Sequence, residues 1–430
     1  MFTNTLLNKK ILIYGLGLSG YSCLQYLNKK NNVKVYDDNK LLKNNKNKNL
    51  FLTKKKIFKS IFDFIIISPG IDIQKCKLDS YLLNNRNKII TELDIFYLSY
   101  PDNIKITITG TNGKSTTCQM LYNIFKLKKY DVRLVGNIGR SPLEEKKIKK
   151  KTIFIIEASS YQTSYSKYFK TDYAAILNLN INHLERHKDL DKYAQSKIKL
   201  ICNQEKNKLS FIEKDNLVIN RNIKKKKIKS KVIKVTYNKN NFFKKKISNY
   251  YLLDKNNLNN IHFIYKISKI FGIPNNIIFK SLNLFKGLKF RKQIIYDKLN
   301  LKIINDSKST SFSSTSGLLS TYTNIYWIVG GKFKKGDRFT LEKKYYKNIK
   351  AYLIGLNKHY FINQFKNKID FKYLKHLKNA IVAIKKDLKK DKKKKIVLFS
   401  PAAASFDQFR DFEHRGNYFN LLVKKIGLYE

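Results

Sequence analysis

Short apolar runs, each followed by a polar or glycine-rich turn, recur along the whole chain. Runs that are apolar at nearly every position are typical of strands buried on both faces of a parallel sheet. Helical spacing of apolar residues follows several runs, as in the segment 118–125. This alternation of strands and helices predicts an α/β fold. The predicted strands are Lys10–Tyr14, Val33–Tyr36, Phe64–Ile67, Ile104–Ile108, Thr152–Glu157, Tyr173–Leu179, Leu301–Ile304, Ile325–Val329, Ala351–Ile354 and Lys395–Phe399.

The length of 430 residues exceeds what one ordinary core accommodates, so several domains are expected. We predict three α/β domains. Residues 1–99 form a Rossmann-like domain, residues 100–291 a central domain with a P-loop ATPase-like parallel sheet, and residues 292–430 a second Rossmann-like domain. Asn- and Lys-rich segments near 39–56 and 221–247 are expected to be long loops.

The most informative segment is Thr107–Thr117, with the sequence TITGTNGKSTT between a predicted strand and a predicted helix. A glycine-rich turn that ends in Gly-Lys-Ser is typical of a polyphosphate-binding loop. Its backbone N–H groups and the helix N-terminus bind phosphate, the lysine neutralises charge, and the hydroxyl binds Mg²⁺. Ile108 replaces the usual first glycine, which indicates a particular subset of ATP-binding proteins. The alternative is a turn glycine beside a surface lysine.

A second glycine-rich turn follows the first predicted strand, with the sequence GLGLSG over residues 15–20. The next strand ends in Asp37, so the pattern suits a nucleotide whose diphosphate lies on the helix N-terminus and whose ribose meets a carboxylate. NAD, another nucleotide and a purely structural turn all remain open at this point. Ser68 and Gly70 follow another buried strand, at the end where ligands bind in open α/β sheets.

Further candidate residues follow the central strands. Glu157 ends a buried strand near the phosphate loop, where a carboxylate commonly faces Mg²⁺; the alternative is that it caps the next turn. His183 follows the next strand, and Lys197 lies on the helix after it. By residue type alone, Lys197 would be a surface lysine.

The formal charge of +57, from 88 Lys and Arg against 31 Asp and Glu, raises the possibility of nucleic-acid binding. The lysines are scattered along the chain and accompany an excess of Asn, Ile, Tyr and Phe, residues with AT-rich codons. Base-composition drift is therefore the simpler cause, and we expect no specific nucleic-acid partner.

The four cysteines are isolated and show neither a disulfide framework nor metal-ligand spacing. The amino terminus carries no usable signal peptide, and no segment approaches the length of a membrane span. We therefore expect a soluble cytoplasmic protein without membrane insertion.

Eight motifs occur together in one order. They are Gly15–Gly20, Ser68–Ile71, Thr109–Thr116, Gly136–Gly139, Glu157–Gln162, Asn182–His187, Ile304–Thr310 and Ser400–Phe409, the last continuing to Phe412–Gly416. In this set and order the chain resembles the Mur ligase family of ATP-dependent amide-bond-forming enzymes of peptidoglycan synthesis. The Asn-Asp-Ser-Lys-x-Thr and Ser-Pro-Ala-x-x-Ser-x-Asp-Gln-Phe segments favour its D-glutamate-adding branch. The Asp-Asn-Pro-x-Arg motif of the diaminopimelate- or lysine-adding branch is not found.

The resemblance implies ATP-dependent ligation of D-glutamate to UDP-N-acetylmuramoyl-L-alanine through an acyl phosphate. The residues it implies for UDP-sugar binding are Leu18, Ser19, Asp37, Ser68, Gly70 and Asn137. Those implied for ATP binding are Gly110, Thr111, Asn112, Gly113, Lys114, Ser115, Thr116, Asn260, Arg291, Asp306 and Lys308. Those implied for D-glutamate binding are Thr310, Lys334, Ser405 and Phe412, with Lys335 as an alternative to Lys334.

The resemblance also implies two Mg²⁺ ions. Ser115 and Glu157 would hold one ion, and His183 and Lys197 would hold the other, with Lys197 carboxylated by CO₂. Lys114, Glu157, His183 and Lys197 would form the catalytic set. We expect a monomer whose partners are the small-molecule substrates. Another Mur-type or folylpolyglutamate-type ligase, a non-catalytic homologue, and a basic nucleic-acid-binding protein remain as alternatives.

Overall fold

The computed structural model describes residues 4–39, 42, 47–236, 242–253, 255–298, 300–334, 336–390 and 394–429. The chain divides into two compact units, residues 1–285 and 286–430. The first unit contains two parallel sheets and the second a mixed one. Among the described residues, no helix combines the length and apolar character that crossing a bilayer requires.

The amino-terminal sheet has four parallel strands in the order β2-β1-β3-β4. Its strands are β1 (Lys10–Tyr14), β2 (Asn32–Tyr36), β3 (Phe64–Ile67) and β4 (Ile89–Ile90). The associated helices are α1 (Leu18–Leu27), α2 (Lys54–Phe58), α3 (Asp79–Asn84) and α4 (Glu92–Ser99). Helix α1 begins at Leu18, within the glycine-rich segment of residues 15–20 that follows β1.

The second sheet of this unit has six parallel strands in the order β10-β9-β8-β5-β7-β6. Its strands are β5 (Lys105–Thr109), β6 (Val132–Gly136), β7 (Ile153–Glu157), β8 (Tyr173–Ile176), β9 (Leu209–Glu213) and β10 (Lys231–Val235). The helices are α5 (Lys114–Leu127), α6 (Ser160–Tyr165), α7 (Leu184–His187), α8 (Leu190–Cys202), α9 (Leu217–Lys224), α10 (Phe242–Lys246), α11 (Lys255–Ile270) and α12 (Asn275–Asn283). Strand β5 lies between β7 and β8, so the turns after these three strands meet at one edge.

The second unit is built on a six-stranded sheet in the order β11-β12-β16-β13-β14-β15, in which only the edge strand β11 is antiparallel. Its strands are β11 (Gln293–Lys298), β12 (Leu301–Asn305), β13 (Ile325–Gly330), β14 (Ile349–Ile354), β15 (Asp370–Lys375) and β16 (Lys395–Phe399). Its helices are α13 (Phe312–Thr321), α14 (Lys358–Phe365), α15 (Leu377–Lys390) and α16 (Phe412–Lys425). Apolar clusters cover both faces of this sheet, as Trp327 and Tyr352 illustrate from opposite sides.

The α/β fold class is confirmed, and all ten predicted strands occur with end shifts of a few residues. The expectation of long loops is wrong where it covers α2, the end of α9, β10 and α10. Helix α9 forms because Asn216 caps it, its side-chain oxygen accepting from Ile219 N at 3.2 Å. Strand β10 forms because Val232 packs on the core of this unit and Val235 is buried, despite the flanking lysines.

Asp94 links the two sheets of the first unit. Its Oδ1 accepts hydrogen bonds at 2.7–2.8 Å from Ser166 Oγ and from three consecutive backbone N–H groups, those of residues 167–169. Its Oδ2 accepts from Thr91 N at 2.8 Å and from Thr91 Oγ1 at 3.0 Å. A fully buried carboxylate with this many donors fixes α4 of the first sheet to the segment that leads into β8.

Candidate active site

The phosphate loop adopts a conformation that requires its glycines. Gly113 has φ +82° and precedes the first residue of α5, while Gly110 has φ +150°. A Cβ on Gly113 would lie 2.6 Å from the side-chain amide atoms of Asn260. The loop therefore brings Asn260, predicted to contact ATP, directly against the N-terminus of α5. Asn178, two residues after β8, supports the loop, since its Oδ1 accepts from Asn112 N at 2.8 Å.

Two lysine amines donate to one carbonyl oxygen of the loop. Lys114 Nζ lies 2.9 Å from Gly110 O, and Lys197 Nζ lies 3.0 Å from the same atom. Lys114 also donates to Thr111 O at 2.8 Å, and Lys197 to Thr109 Oγ1 at 3.2 Å. Two positive charges this close repel each other, so one of the amines is favoured in its neutral form.

Lys197 is the amine whose surroundings favour the neutral form. Its side chain is 1% exposed on α8, so the expectation for its residue type, a surface lysine, is wrong. Burial lowers the pKa of Lys197 well below its ordinary value, and the charge of Lys114 lowers it further, while Glu157 opposes the shift. Its surroundings therefore favour the neutral, nucleophilic form of this amine.

Glu157 ends β7 between β5 and β6, and its side chain is 1% exposed. Asn137 Nδ2 donates to Glu157 Oε1 at 2.7 Å, and Asn137 N donates to Glu157 O at 2.9 Å. The alternative, that Glu157 caps the following turn, is wrong: Ser159 caps α6, its Oγ accepting from Gln162 N at 3.3 Å. Asn137, predicted to bind the UDP-sugar, contacts this carboxylate.

His183 lies at the N-terminus of α7 in the left-handed region, with φ +55°. Its Nδ1 lies 2.9 Å from Tyr161 Oη and 3.4 Å from Glu185 Oε1. The centroid of its ring lies 6.2 Å from that of Tyr193. The Tyr193 ring centroid lies 4.8 Å from Lys197 Nζ, and Tyr193 Oη lies 3.2 Å from Thr111 Oγ1. A left-handed conformation at a non-glycine residue is strained, and such strain clusters at functional sites.

Sequence reasoning gave Tyr161 and Tyr193 no role, although both lie beside the predicted catalytic residues. Tyr193 precedes Lys197 by one helical turn, so the i, i+4 spacing is a signal that could have identified it. Tyr161 lies within the segment Glu157–Gln162, but its contact with His183 depends on tertiary structure.

A polar cavity of about 320 Å³ opens beside the phosphate loop. Most of the residues that line it are asparagines, and two are carboxylates. Such a lining suits the hydrogen-bonding edge of a nucleobase and the hydroxyls of a ribose. The lining residues are Asn112, Gly113, Asn178, Asn180, Glu213, Asp215, Asn216, Asn259 and Asn260.

The amino-terminal turn is shaped as a nucleotide-binding turn. Gly15 has φ +93°, and a Cβ on Gly20 would lie 1.8 Å from Gly15 O, so both positions require glycine. Asp37 Oδ2 accepts from Leu16 N at 2.6 Å, and Ser68 Oγ donates to Gly15 O at 2.7 Å. Three of the predicted elements, the turn, Asp37 and Ser68, therefore meet at one sheet edge. Leu18 and Gly70 are exposed beside them, and Ser19 is half-buried.

In the second unit, Asp306 lies at the turn after β12 and is buried. Ser400 Oγ donates to its Oδ2 at 2.7 Å, and Lys292 N donates to its Oδ1 at 3.0 Å. Burial raises the pKa of Asp306 to about 6, although these hydrogen bonds and the charge of Arg291 oppose the shift. The chain flanking Arg291 is strained, because Phe290 and Lys292 have φ of +61° and +47°.

The residues predicted for D-glutamate lie on turns that are joined to one another. Lys332 and Ala404 exchange two 2.9 Å backbone hydrogen bonds, which link the turn carrying Lys334 to the turn carrying Ser405. Lys308 Nζ lies 3.7 Å from the centre of the Phe412 ring. Thr310 lies half-buried just before α13. Lys335 lies outside the described residues, so the choice between it and Lys334 stays open.

The donor atoms near the phosphate loop suit Mg²⁺ at one position. The hydroxyl of Ser115 and the carboxylate of Glu157 are hard oxygen ligands of the kind Mg²⁺ prefers, and both are buried. The pair His183 and Lys197 does not fit a second ion in its present chemical form, because an amine is a poor Mg²⁺ ligand. No group of three or more His, Cys, Asp or Glu side chains suited to a metal occurs in the part of the chain that the structure describes.

The parallel central sheet and its phosphate loop define a nucleotide-binding α/β protein. Two family models match the sequence: the Mur ligase MurD-like N-terminal domain over residues 9–90 and the Mur ligase middle domain over residues 108–274. The chain belongs to the Mur ligase family. It is 31% identical over 448 residues to the UDP-N-acetylmuramoylalanine--D-glutamate ligase of Rickettsia felis, with 98% of each chain covered. It is 34% identical over 456 residues to the ligase of the same name from Buchnera aphidicola, covering 97% and 98%.

Solved structures agree on the fold. The MurC ligase of Thermotoga maritima matches 98% of this chain and 100% of its own, with a TM-score of 0.58 at 14% identity. The MurF ligase of Thermotoga maritima, solved with ADP, matches 99% and 100%, with a TM-score of 0.56 at 15% identity. At these identities the similarity shows the fold, and the three-domain Mur ligase architecture fits the three sheets.

Proposed function

We propose that this chain ligates D-glutamate to UDP-N-acetylmuramoyl-L-alanine, with ATP as the energy source and ADP and phosphate as products. Near-complete alignment with ligases named for this reaction supports the proposal. The observation that carries it is the cluster at the ends of β5, β7 and β8, where Lys114, Lys197 and Glu157 surround one phosphate loop. We further propose that the enzyme acts in the cytoplasm, where its four unbridged cysteines stay reduced.

The first chemical step is attack of the muramoyl-alanine carboxylate on the γ-phosphorus of ATP. The P–O bond to the β-phosphate breaks, and ADP leaves with the bond electrons. Because two anions must approach each other, the site has to supply positive charge. Lys114 is the residue for this task, since its amine already reaches two loop carbonyls where a phosphate would lie.

In the second step the D-glutamate amine attacks the carbonyl carbon of the acyl phosphate. The tetrahedral intermediate loses phosphate, and the amine gives up one proton, which leaves an amide. The residues assigned to this amino acid, Thr310, Lys334, Ser405 and Phe412, remain predictions. The same holds for Asn260, Arg291, Asp306 and Lys308 toward ATP, and for the UDP-sugar set in the first domain.

We also propose that Lys197 reacts with CO₂ to form a carbamate. A carbamate requires a neutral amine, and the shared carbonyl together with burial favours that form of Lys197. The product is a carboxylate-like group, which would complete the oxygen ligands for a second Mg²⁺ beside His183. Bound Mg²⁺ would offset the negative charge of the phosphates and align them.

The test is ADP release with purified protein, ATP, Mg²⁺, bicarbonate and UDP-N-acetylmuramoyl-L-alanine. D-Glutamate should support turnover, whereas L-glutamate, L-alanine, L-lysine and diaminopimelate should not. Equal rates with any other amino acid would overturn the assignment of substrate. No turnover with any of them would favour a non-catalytic homologue, and substitution of the UDP-sugar by a folate would expose a folylpolyglutamate-type enzyme.

A further inference from the structure

Arg415 is a buried cation near the start of α16, at the strand ends of the second unit. Its side chain is 1% exposed. Its Nη2 donates to Ser307 O at 2.7 Å and to Ala403 O at 3.0 Å, and its Nε donates to Ser307 Oγ at 3.2 Å. One guanidinium therefore joins the turn after β12 to the turn after β16.

The third nitrogen of this guanidinium reaches the turn after β13. Nη1 is buried and lacks a hydrogen-bond acceptor among the described residues. It lies 3.3 Å from the point where a Cβ on Gly331 would be, so a side chain at that position would crowd it. Gly331 has φ +139°, which also favours glycine. All three turns thus meet around Arg415.

This arrangement is energetically costly. Burial lowers the pKa of Arg415 to about 10, although Asp407 and Asp306 oppose the shift, so the group stays charged at neutral pH. A buried charge with one unsatisfied nitrogen destabilises a fold compared with a well-packed apolar side chain. Compositional drift explains surface lysines in this chain, but it does not explain a buried arginine in this position.

We propose that Arg415 is a positioning residue that holds the turns after β12, β13 and β16 in the register needed to bind the amino-acid substrate. The turns after β12 and β16 carry Thr310 and Ser405, and Lys334 lies on the turn after β13. Arg415 would act through these residues without touching the substrate. The inference rests on the function proposed above, in which the second unit binds D-glutamate.

The experiment compares steady-state kinetics of Arg415→Lys, Arg415→Ala and Ser307→Ala in the full-length chain. Arg410→Ala is the matched control, because that arginine lies five residues earlier and is exposed, pairing only with Asp411 among the described residues. KM is measured for D-glutamate and for UDP-N-acetylmuramoyl-L-alanine, with thermal unfolding recorded for each variant. Guanidinium ion is then added to Arg415→Ala below its unfolding transition.

We expect KM for D-glutamate to rise about ten- to hundredfold in the Arg415 variants, since hydrogen bonds from a charged donor are lost. KM for the UDP-sugar should stay within about twofold of wild type, and guanidinium should partly restore the KM for D-glutamate. Ser307→Ala, the milder change, should show the same split to a smaller extent. Arg410→Ala should match wild type.

Two results would overturn the inference. One is a fall in kcat of the Arg415 variants with both of their KM values unchanged, because a smaller fraction of folded protein would by itself give that result. The other is a pair of results found together. Ser307→Ala has wild-type stability and a wild-type KM for D-glutamate, and guanidinium does not restore the KM for D-glutamate of Arg415→Ala. A wild-type chain with no D-glutamate-dependent turnover would instead refute the proposed function, so the two failures are distinguishable.

Discussion

Replacement of Gly113 by alanine tests the geometry of the phosphate loop. The residue precedes α5 with φ +82°, a left-handed conformation that alanine adopts at a cost. The added Cβ would also lie 2.6 Å from both amide atoms of the Asn260 side chain. Asn260 is 3% exposed, so it has little room to move aside. The substitution therefore strains the loop and displaces the residue predicted to contact ATP.

The expected magnitude has two parts. A non-glycine residue in the left-handed region costs about 1–2 kcal/mol, which should appear as a loss of unfolding free energy. Displacement of Asn260 should weaken ATP binding by about 1–3 kcal/mol, the range for a buried polar group that loses its partner. KM for ATP should therefore rise about 5- to 150-fold. KM for the UDP-sugar should not change.

The assay is urea unfolding together with KM for ATP from ADP release. Gly317→Ala is the matched control: it lies inside α13, a Cβ added there would meet no heavy atom within 4 Å, and its φ is not in the left-handed range. This change should stabilise the protein by about 0.5–1 kcal/mol without altering KM for ATP. If Gly113→Ala has the same unfolding free energy and the same KM for ATP as the wild type, the loop conformation described above is wrong.

Three further predictions concern buried charged groups. Lys197→Ala should abolish turnover, with partial recovery in acetate, which can occupy the space that the shorter side chain leaves. The wild type should show a carbamate signal in ¹³C NMR under labelled CO₂ that the variant lacks, and its absence from the wild type would refute carboxylation. Asp306, with its pKa raised from 3.8 to about 6, binds its proton more tightly in the folded state, so the stability it contributes falls as pH rises through that window. Asp306→Asn should remove this fall in urea unfolding, and an unchanged pH dependence would contradict the assignment. Asp94→Ala should lower the unfolding free energy by about 3–5 kcal/mol, because several buried N–H groups lose the acceptor that they share. A loss below about 1 kcal/mol in urea unfolding would show that the link between the two sheets is weak.

The parts of the fold predicted from sequence are those whose signal is local. Strand β5 is an alternating β-branched segment, β7 is apolar up to Glu157, and both are buried at every position. The glycine-rich turns have fixed spacing to their helices. Strands β6 and β10 were not predicted, because Arg133 in one and the lysines in the other interrupt the apolar pattern. Both are edge strands, where polar residues are tolerated because one side of the strand is unpaired.

The candidate site shows the same limit. Lys114 and Glu157 could be predicted as candidates because one follows a buried strand and the other ends one, at the edge of the sheet where ligands bind. The burial of Lys197 could not be derived from its own segment, since it depends on the packing of α8 against the loop after β5. The contact of Asn137 with Glu157 and the bonds of Arg415 join residues far apart in sequence. Such contacts become visible only when the sheet order is known.

The central claim is that the γ-phosphoryl group of ATP is transferred to a substrate carboxylate. It is tested most directly with UDP-N-acetylmuramoyl-L-alanine labelled with ¹⁸O in that carboxylate. If an acyl phosphate forms and D-glutamate displaces phosphate from it, each turnover transfers one labelled oxygen to inorganic phosphate, and mass spectrometry should detect it. Amide formation with unlabelled phosphate would contradict the account.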